Sequence, residues 1–183
     1  MIIKNFGEFF EKMKGKSKCP PGVCIVEVFW SWLGSFLGIA AVAYIHYSYL
    51  EATDLTLIIG SFGASAVLVY AAITSPLAQP RNLVGGHIVS AFIGVTVYQQ
   101  IPNIWIASAM AVSLAIAAML VTKTLHPPGG ATALIAVIGS SKIHSLGYTY
   151  VIIPASSGAV LMLVIALVVN NLAKTRKYPE YWI

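Results

Sequence analysis

From Ile104 to Val121 the chain carries no charge, no proline and no glycine. An uncharged apolar run of that length is what a helix needs to cross the hydrocarbon core of a bilayer. Comparable stretches run from Ile25 to Tyr47, Leu55 to Thr74, Leu83 to Val97 and Tyr150 to Leu172. A sixth, from Pro128 to Gly139, is too short to span as a helix at 1.5 Å per residue. Of the residues, 58% are hydrophobic and only 9% charged, against about 25% charged in a soluble domain. That deficit excludes an ordinary soluble protein, a disordered chain and a nucleic-acid-binding domain. A membrane β-barrel is excluded as well, because its strands alternate apolar and polar residues. The expected fold is all-α: a polytopic transmembrane bundle of about six segments, with segments two and five short or broken. Residues 1-24 form a basic amino-terminal segment, 25-172 the membrane unit and 173-183 a tail.

The net charge of +5 is unevenly spread. Lys4, Lys12, Lys14, Lys16 and Lys18 precede the first apolar run, and Lys174, Arg176 and Lys177 follow the last. Basic flanks stay on the cytoplasmic side, so both termini are read as cytoplasmic and the number of crossings as even. Six crossings put Glu51 and Asp54 outside, Arg81 and Lys123 inside, and only Lys142 against the rule. Four crossings, with segments two and five re-entrant, also keep both ends inside but carry the acidic loop there; six fits better. The default location is the plasma membrane of a prokaryote, with the lipid bilayer as partner. Cys19 and Cys24 are expected as reduced thiols. Without a Cys/His set they make no metal site, and no cofactor is expected.

Small residues recur at four-residue spacing: Gly34 and Gly38; Gly86, Ser90 and Gly94; Ala155 and Ala159. Such stripes let helix backbones approach closely in lipid. Tight internal packing is the main reading, and a homo-oligomer seam the alternative. Phe62-Gly63-Ala64-Ser65-Ala66-Val67-Leu68 resembles Gly129-Gly130-Ala131-Thr132-Ala133-Leu134-Ile135, 67 residues later. This suggests two units of three spans, the second inverted, as in many secondary transporters. In that plan the amino-terminal ends of helices two and five face each other near the membrane centre. A helix start offers free N–H groups and about half a positive charge. Half a charge on a monovalent anion at about 4 Å, with an effective dielectric of about 20, contributes roughly 2 kcal/mol, and two such ends roughly 4 kcal/mol. Gly63 and Gly129-Gly130 would let an anion near the backbone, with Ser65 and Thr132 adding hydroxyls.

The segment Leu125-His126-Pro127-Pro128-Gly129-Gly130 reads as a broken helix start beside an imidazole. Proline fits the first helical positions and pushes His126 into extended geometry. This segment resembles the signature of the HPP family of integral membrane proteins. So do Phe62 to Ala66, Ser75-Pro76-Leu77-Ala78-Gln79-Pro80-Arg81-Asn82 and Gly85-Gly86-His87. The resemblance covers about residues 25 to 172. Gly130 departs from it, since alanine is common there in the family. The family is linked to nitrite transport in chloroplasts and cyanobacteria, so the resemblance implies a small-anion transporter with nitrite as leading substrate.

On this reading the substrate-binding candidates are His126, Pro127, Pro128, Gly129, Gly130, Thr132, Gly63, Ser65, Arg81 and His87. His126 and Glu27 are candidates for carrying a coupling proton, because an imidazole titrates near neutrality and an acid in a span is expensive to keep. An ion pair between Glu27 and Arg81 is open, and either residue can serve as a topology anchor instead. Trp30, Trp32, Trp105, Trp182, Tyr44, Tyr47, Tyr49, Tyr148 and Tyr150 fit aromatic interface belts. Three classes remain: an anion transporter or channel, a transporter of another solute such as an organic sulfonate or a cation, and a non-transporting scaffold or sensor subunit. An enzyme is not expected, for no His-Glu-x-x-His or Gly-x-Ser-x-Gly set appears.

Overall fold

A computed structural model of the chain describes residues 22–53 and 55–183. The lysines before residue 22, Cys19 and Asp54 lie outside the described residues. The architecture is all-helical. α1 (Ile25–Leu50) is α-helical to Ile45 and closes in a π-helical turn. α2 (Ser61–Ala71) is short and also ends in a π-helical turn. α3 (Pro80–Gln100), α4 (Ile104–Val121) and α5 (Pro127–Ile138) follow, then the single turn α6 (Ser141–Ser145) and α7 (Val151–Leu172). Segments two and five are thus the short ones, and the order long, short, long occurs twice.

Local sequence explains where these helices begin. Pro80 opens α3 after an extended Gln79, and Pro127-Pro128 open α5 after an extended His126 (φ −139°, ψ 104°). In both cases the proline fills a first-turn position whose N–H has no helical partner. Asn103 caps α4 by accepting from the Ile106 N–H at 3.4 Å. Pro154 bends α7 at its start, where Ile153 is non-helical, as a proline inside a helix does. Before α2 residues 55–59 are non-helical, with Leu57 and Ile59 buried. Non-helical backbone at this depth is tolerated because protein surrounds it.

α1, α4 and α7 are each long and apolar enough to cross a membrane. α3 is as long as the helical part of α1 but holds more small and polar residues; it is the central element, packed against α4, α5 and α7. A Cβ at Gly86 would lie 2.5 Å from the His126 Cβ, and one at Gly94 would lie 2.6 Å from the Ala133 carbonyl. α3 and α5 therefore touch backbone to backbone. Gly34 and Gly38 on α1 receive the ring of Tyr70, and Gly158 on α7 receives the ring of Phe62. These small-residue faces, with Ala155 and Ala159, are filled inside the bundle. α4 buries Ala107, Ala111, Ala115 and Met119, four residues apart, and turns its remaining apolar side chains outward.

Candidate functional site

The two short helices do not point their starts at each other across a gap. They lie side by side and antiparallel: Ser61 at the start of α2 meets Thr132 in α5, while Ser65, one turn on, meets His126 at the start of α5. His87 of α3 is fitted between them. Its Nε2 lies 2.8 Å from Ser65 Oγ and its Nδ1 lies 2.7 Å from Thr132 Oγ1. Ser65 and Thr132 are the hydroxyls that correspond in the internal repeat, so one imidazole bridges the two repeat-related positions.

The chain of contacts continues at both ends. Ser65 Oγ lies 2.9 Å from His126 Nε2, and His126 Nδ1 donates to the Leu77 carbonyl at 2.8 Å. At the other end Thr132 Oγ1 lies 2.9 Å from Ser61 Oγ and 3.2 Å from the Pro128 carbonyl. The imidazoles of His87 and His126 have centroids 5.2 Å apart, and the edge of Phe62 packs on His87. Ser61, Ser65, His87, His126 and Thr132 are all buried, and each buried polar side-chain atom among the described residues has a partner. That matters because an unpaired polar group in such a place costs several kcal/mol. His87 lies seven residues into α3, so the cluster sits roughly 10 Å from the start of a helix about 31 Å long.

The helix starts hold fewer free amides than the sequence suggested. Pro127 and Pro128 have none, and the Gly129 N–H is taken by the His126 carbonyl at 2.8 Å. In α2 the Phe62 and Gly63 N–H groups are taken by Ile59 and Gly60. Tight first turns of this kind consume the orphan donors. What the junction offers a solute is therefore hydroxyl and imidazole, not bare backbone.

The model of the family described as HPP, transmembrane region, matches residues 20–179. The chain belongs to the HPP transmembrane family. Two transmembrane proteins of Dictyostelium discoideum are relatives. One is 48% identical over 97% of this chain and 58% of its own length; the other is 46% identical over 96% and 63%. The HPP chain thus spans about three-fifths of the length of these relatives. No solved structure matches it significantly.

Several of the expected site residues of this HPP protein lie elsewhere. Gly63 faces outward with no heavy atom near a Cβ built there. It is two residues from Ser65, which puts it on nearly the opposite face of α2. Pro127 and Gly130 turn away from His87 and line an apolar groove of about 500 Å³ beside Val112, Ile116 and Leu134. Gly129 packs against Ser90 and Gly86, tightening the junction. Arg81 donates to the Thr122 carbonyl at 2.9 Å. There it neutralises the carboxy-terminal end of α4, a favoured place for a cation.

Glu27 pairs with Arg176, not Arg81: Arg176 Nε lies 2.8 Å from Glu27 Oε2. Nη1 of the same guanidinium donates to the Tyr70 carbonyl and Asn170 Oδ1, and Nη2 to the Glu27 carbonyl and Ser31 Oγ. Asn170 Nδ2 donates to the Val69 carbonyl at 2.9 Å. Arg176 and Asn170 thereby satisfy the carbonyl end of α2, which stops inside the bundle. Glu27 is committed to that brace, far from the histidines. The tail packs back beyond it: Tyr178 donates its hydroxyl to the Ala78 carbonyl, and the Glu180 N–H donates to Gln79 Oε1.

Two participants were not among the residues expected from the sequence. Tyr150 reads as a belt aromatic, yet it is buried and donates to the Thr132 carbonyl at 3.0 Å. Ser61 could have been found as the hydroxyl one turn before Ser65. Among the described residues no group of three His, Cys, Asp or Glu converges as a metal site would require.

Proposed function

We propose that this HPP protein moves a small inorganic anion through the membrane, with nitrite as the first substrate to test. The observation that carries the reading is the buried set of two histidines and three hydroxyls between two half-helices. Hydroxyl and imidazole N–H groups are suitable donors for a small oxyanion, and Pro128 and Gly129 keep the start of α5 close to them. His126, His87, Ser65, Thr132 and Ser61 are the proposed contacts. Arg81 is proposed at most to attract anions at the cytoplasmic mouth. Both termini are proposed to be cytoplasmic, from the basic flanks of the spans. The prokaryotic plasma membrane expected from the sequence draws no support from relatives in Dictyostelium discoideum, and only the membrane itself is retained.

Nitrite uptake into proteoliposomes tests this. Protein-dependent flux that falls in His126→Ala is the expected result. No flux of nitrite, with no effect of His126→Ala on any other anion tried, overturns it. A second reading also has an observation behind it. The junction is closely packed and its first-turn amides are occupied, as in a non-transporting scaffold or sensor subunit. That reading expects His126→Ala to alter stability without altering any flux.

A further inference from the structure

We infer that His87 and His126 hold a single shared proton, passed between them through the Ser65 hydroxyl. The argument starts from one fixed acceptor. A carbonyl oxygen cannot donate, so the contact with Leu77 O places a hydrogen on His126 Nδ1. With His126 neutral, its Nε2 is bare and takes the one hydroxyl hydrogen of Ser65. Ser65 Oγ then has only lone pairs to offer His87, so His87 Nε2 carries a hydrogen and donates. His87 Nδ1 is consequently bare and takes the Thr132 hydrogen, for which Ser61 Oγ and the Pro128 carbonyl are the competing acceptors. The two neutral imidazoles are thus opposite tautomers in one polarised chain. If His87 took the other tautomer, two bare nitrogens would compete for the one Ser65 hydrogen.

The same contacts accept one further proton with every donor still placed. On His87 it occupies Nδ1, and the Thr132 hydroxyl turns to Ser61 Oγ or the Pro128 carbonyl, both already within reach. It moves to His126 when His87 Nε2–H passes to Ser65 Oγ and the Ser65 hydrogen passes to His126 Nε2. No bond other than these N–H and O–H bonds is made or broken. A second proton has no place. Both Nε2–H groups would aim at Ser65 Oγ, whose own hydrogen would lose its acceptor, with two cations about 5 Å apart. The groups facing the pair are Ser65 and Phe62 from α2, Thr132 from α5, the Leu77 carbonyl, and Tyr150, just before α7, through the Thr132 carbonyl. None of them is a carboxylate, lysine or arginine. One proton therefore gives the cluster its only positive charge, which is what an anion requires. Use of that proton as the coupling ion rests on the anion-transport reading above; the proton site itself does not.

Two readouts separate the two ideas. In the full chain in lipid, with His46 and His144 replaced by glutamine, ¹⁵N-histidine NMR should show one Nδ1–H and one Nε2–H imidazole. Acid should then add one proton to the pair before any second. Two identical tautomers, or two independent titrations, overturn the inference. In proteoliposomes the initial rate of protein-dependent nitrite uptake should rise with an inward proton gradient, and Ser65→Ala should lose that response. If Ser65→Ala fails to fold, Ser65→Cys keeps the shape with a weak donor and should lose most of the response. Nitrite flux indifferent to the gradient, or a full response in the Ser65 variants, overturns the coupling and leaves anion transport standing. Opposite tautomers without any nitrite flux leave the proton site standing and remove the anion reading.

Discussion

Replacing Arg176 with alanine removes the brace on the carbonyl end of α2. The Arg176 side chain is 2% exposed and the Glu27 side chain 31%. Glu27 can be rehydrated when its partner goes, so its share is small, in the manner of a surface pair. The Tyr70 carbonyl and Asn170 Oδ1 are buried and lose their donor, and a buried acceptor left unpaired costs about 1–3 kcal/mol. Together they give a loss of roughly 3 kcal/mol, the lower edge of what breaking a buried pair costs. For a chain of this length about 3 kcal/mol lowers the melting temperature by roughly 6–12 °C. Thermal unfolding of purified protein, followed by circular dichroism, measures it. Glu27→Gln should cost less, about 1–2 kcal/mol, since Arg176 loses its counter-charge but keeps its other acceptors. Arg176→Lys should not restore stability, because one ammonium cannot reproduce the guanidinium fork. A shift within about 2 °C for Arg176→Ala, or an equal loss in Glu27→Gln, refutes the reasoning.

Gly38→Ala sets a methyl against the Tyr70 phenol, which is tied to the Met162 carbonyl at 3.0 Å; a loss of about 1–3 kcal/mol is expected in the same melting assay. Gly63→Ala meets no atom and should be neutral or stabilising by up to about 1 kcal/mol. Tyr150→Phe removes the donor to the Thr132 carbonyl and should lower stability by about 1 kcal/mol. Cys24 is exposed; in a Cys19→Ser background an impermeant maleimide should label it in intact cells only after permeabilisation. Labelling of intact cells reverses the proposed orientation.

The segment count, the two short helices and the tight glycine faces were all legible, because hydrocarbon thickness and backbone approach depend on run length and residue size. The pairing of Ser65 with Thr132 across the repeat was legible as similarity, though nothing in it said that His87 would bridge them. The rotation of α2 was harder to read. Lipid-facing and core-facing positions there are both small or apolar, so hydropathy does not separate Gly63 from Ser65; only their two-residue spacing does. The partner of Glu27 was hidden because Arg176 lies in a basic tail that reads as a topology signal, and nothing local announces that the tail folds back. Tyr150 was misread for a similar reason: a phenol near a span end suits an interface and a buried carbonyl equally well.

The direct approach of α3 to α5 at Gly86 and Gly94 leaves no layer of flexible side chains between them to slide or repack. Slabs joined in that way travel as one piece. α2 reaches the two histidines through Ser65 and Phe62 and reaches Thr132 through Ser61. Any motion that unlatches the cluster therefore parts along the flank of α2, with the non-helical segment ahead of that helix as the slack and the docked tail as the bolt.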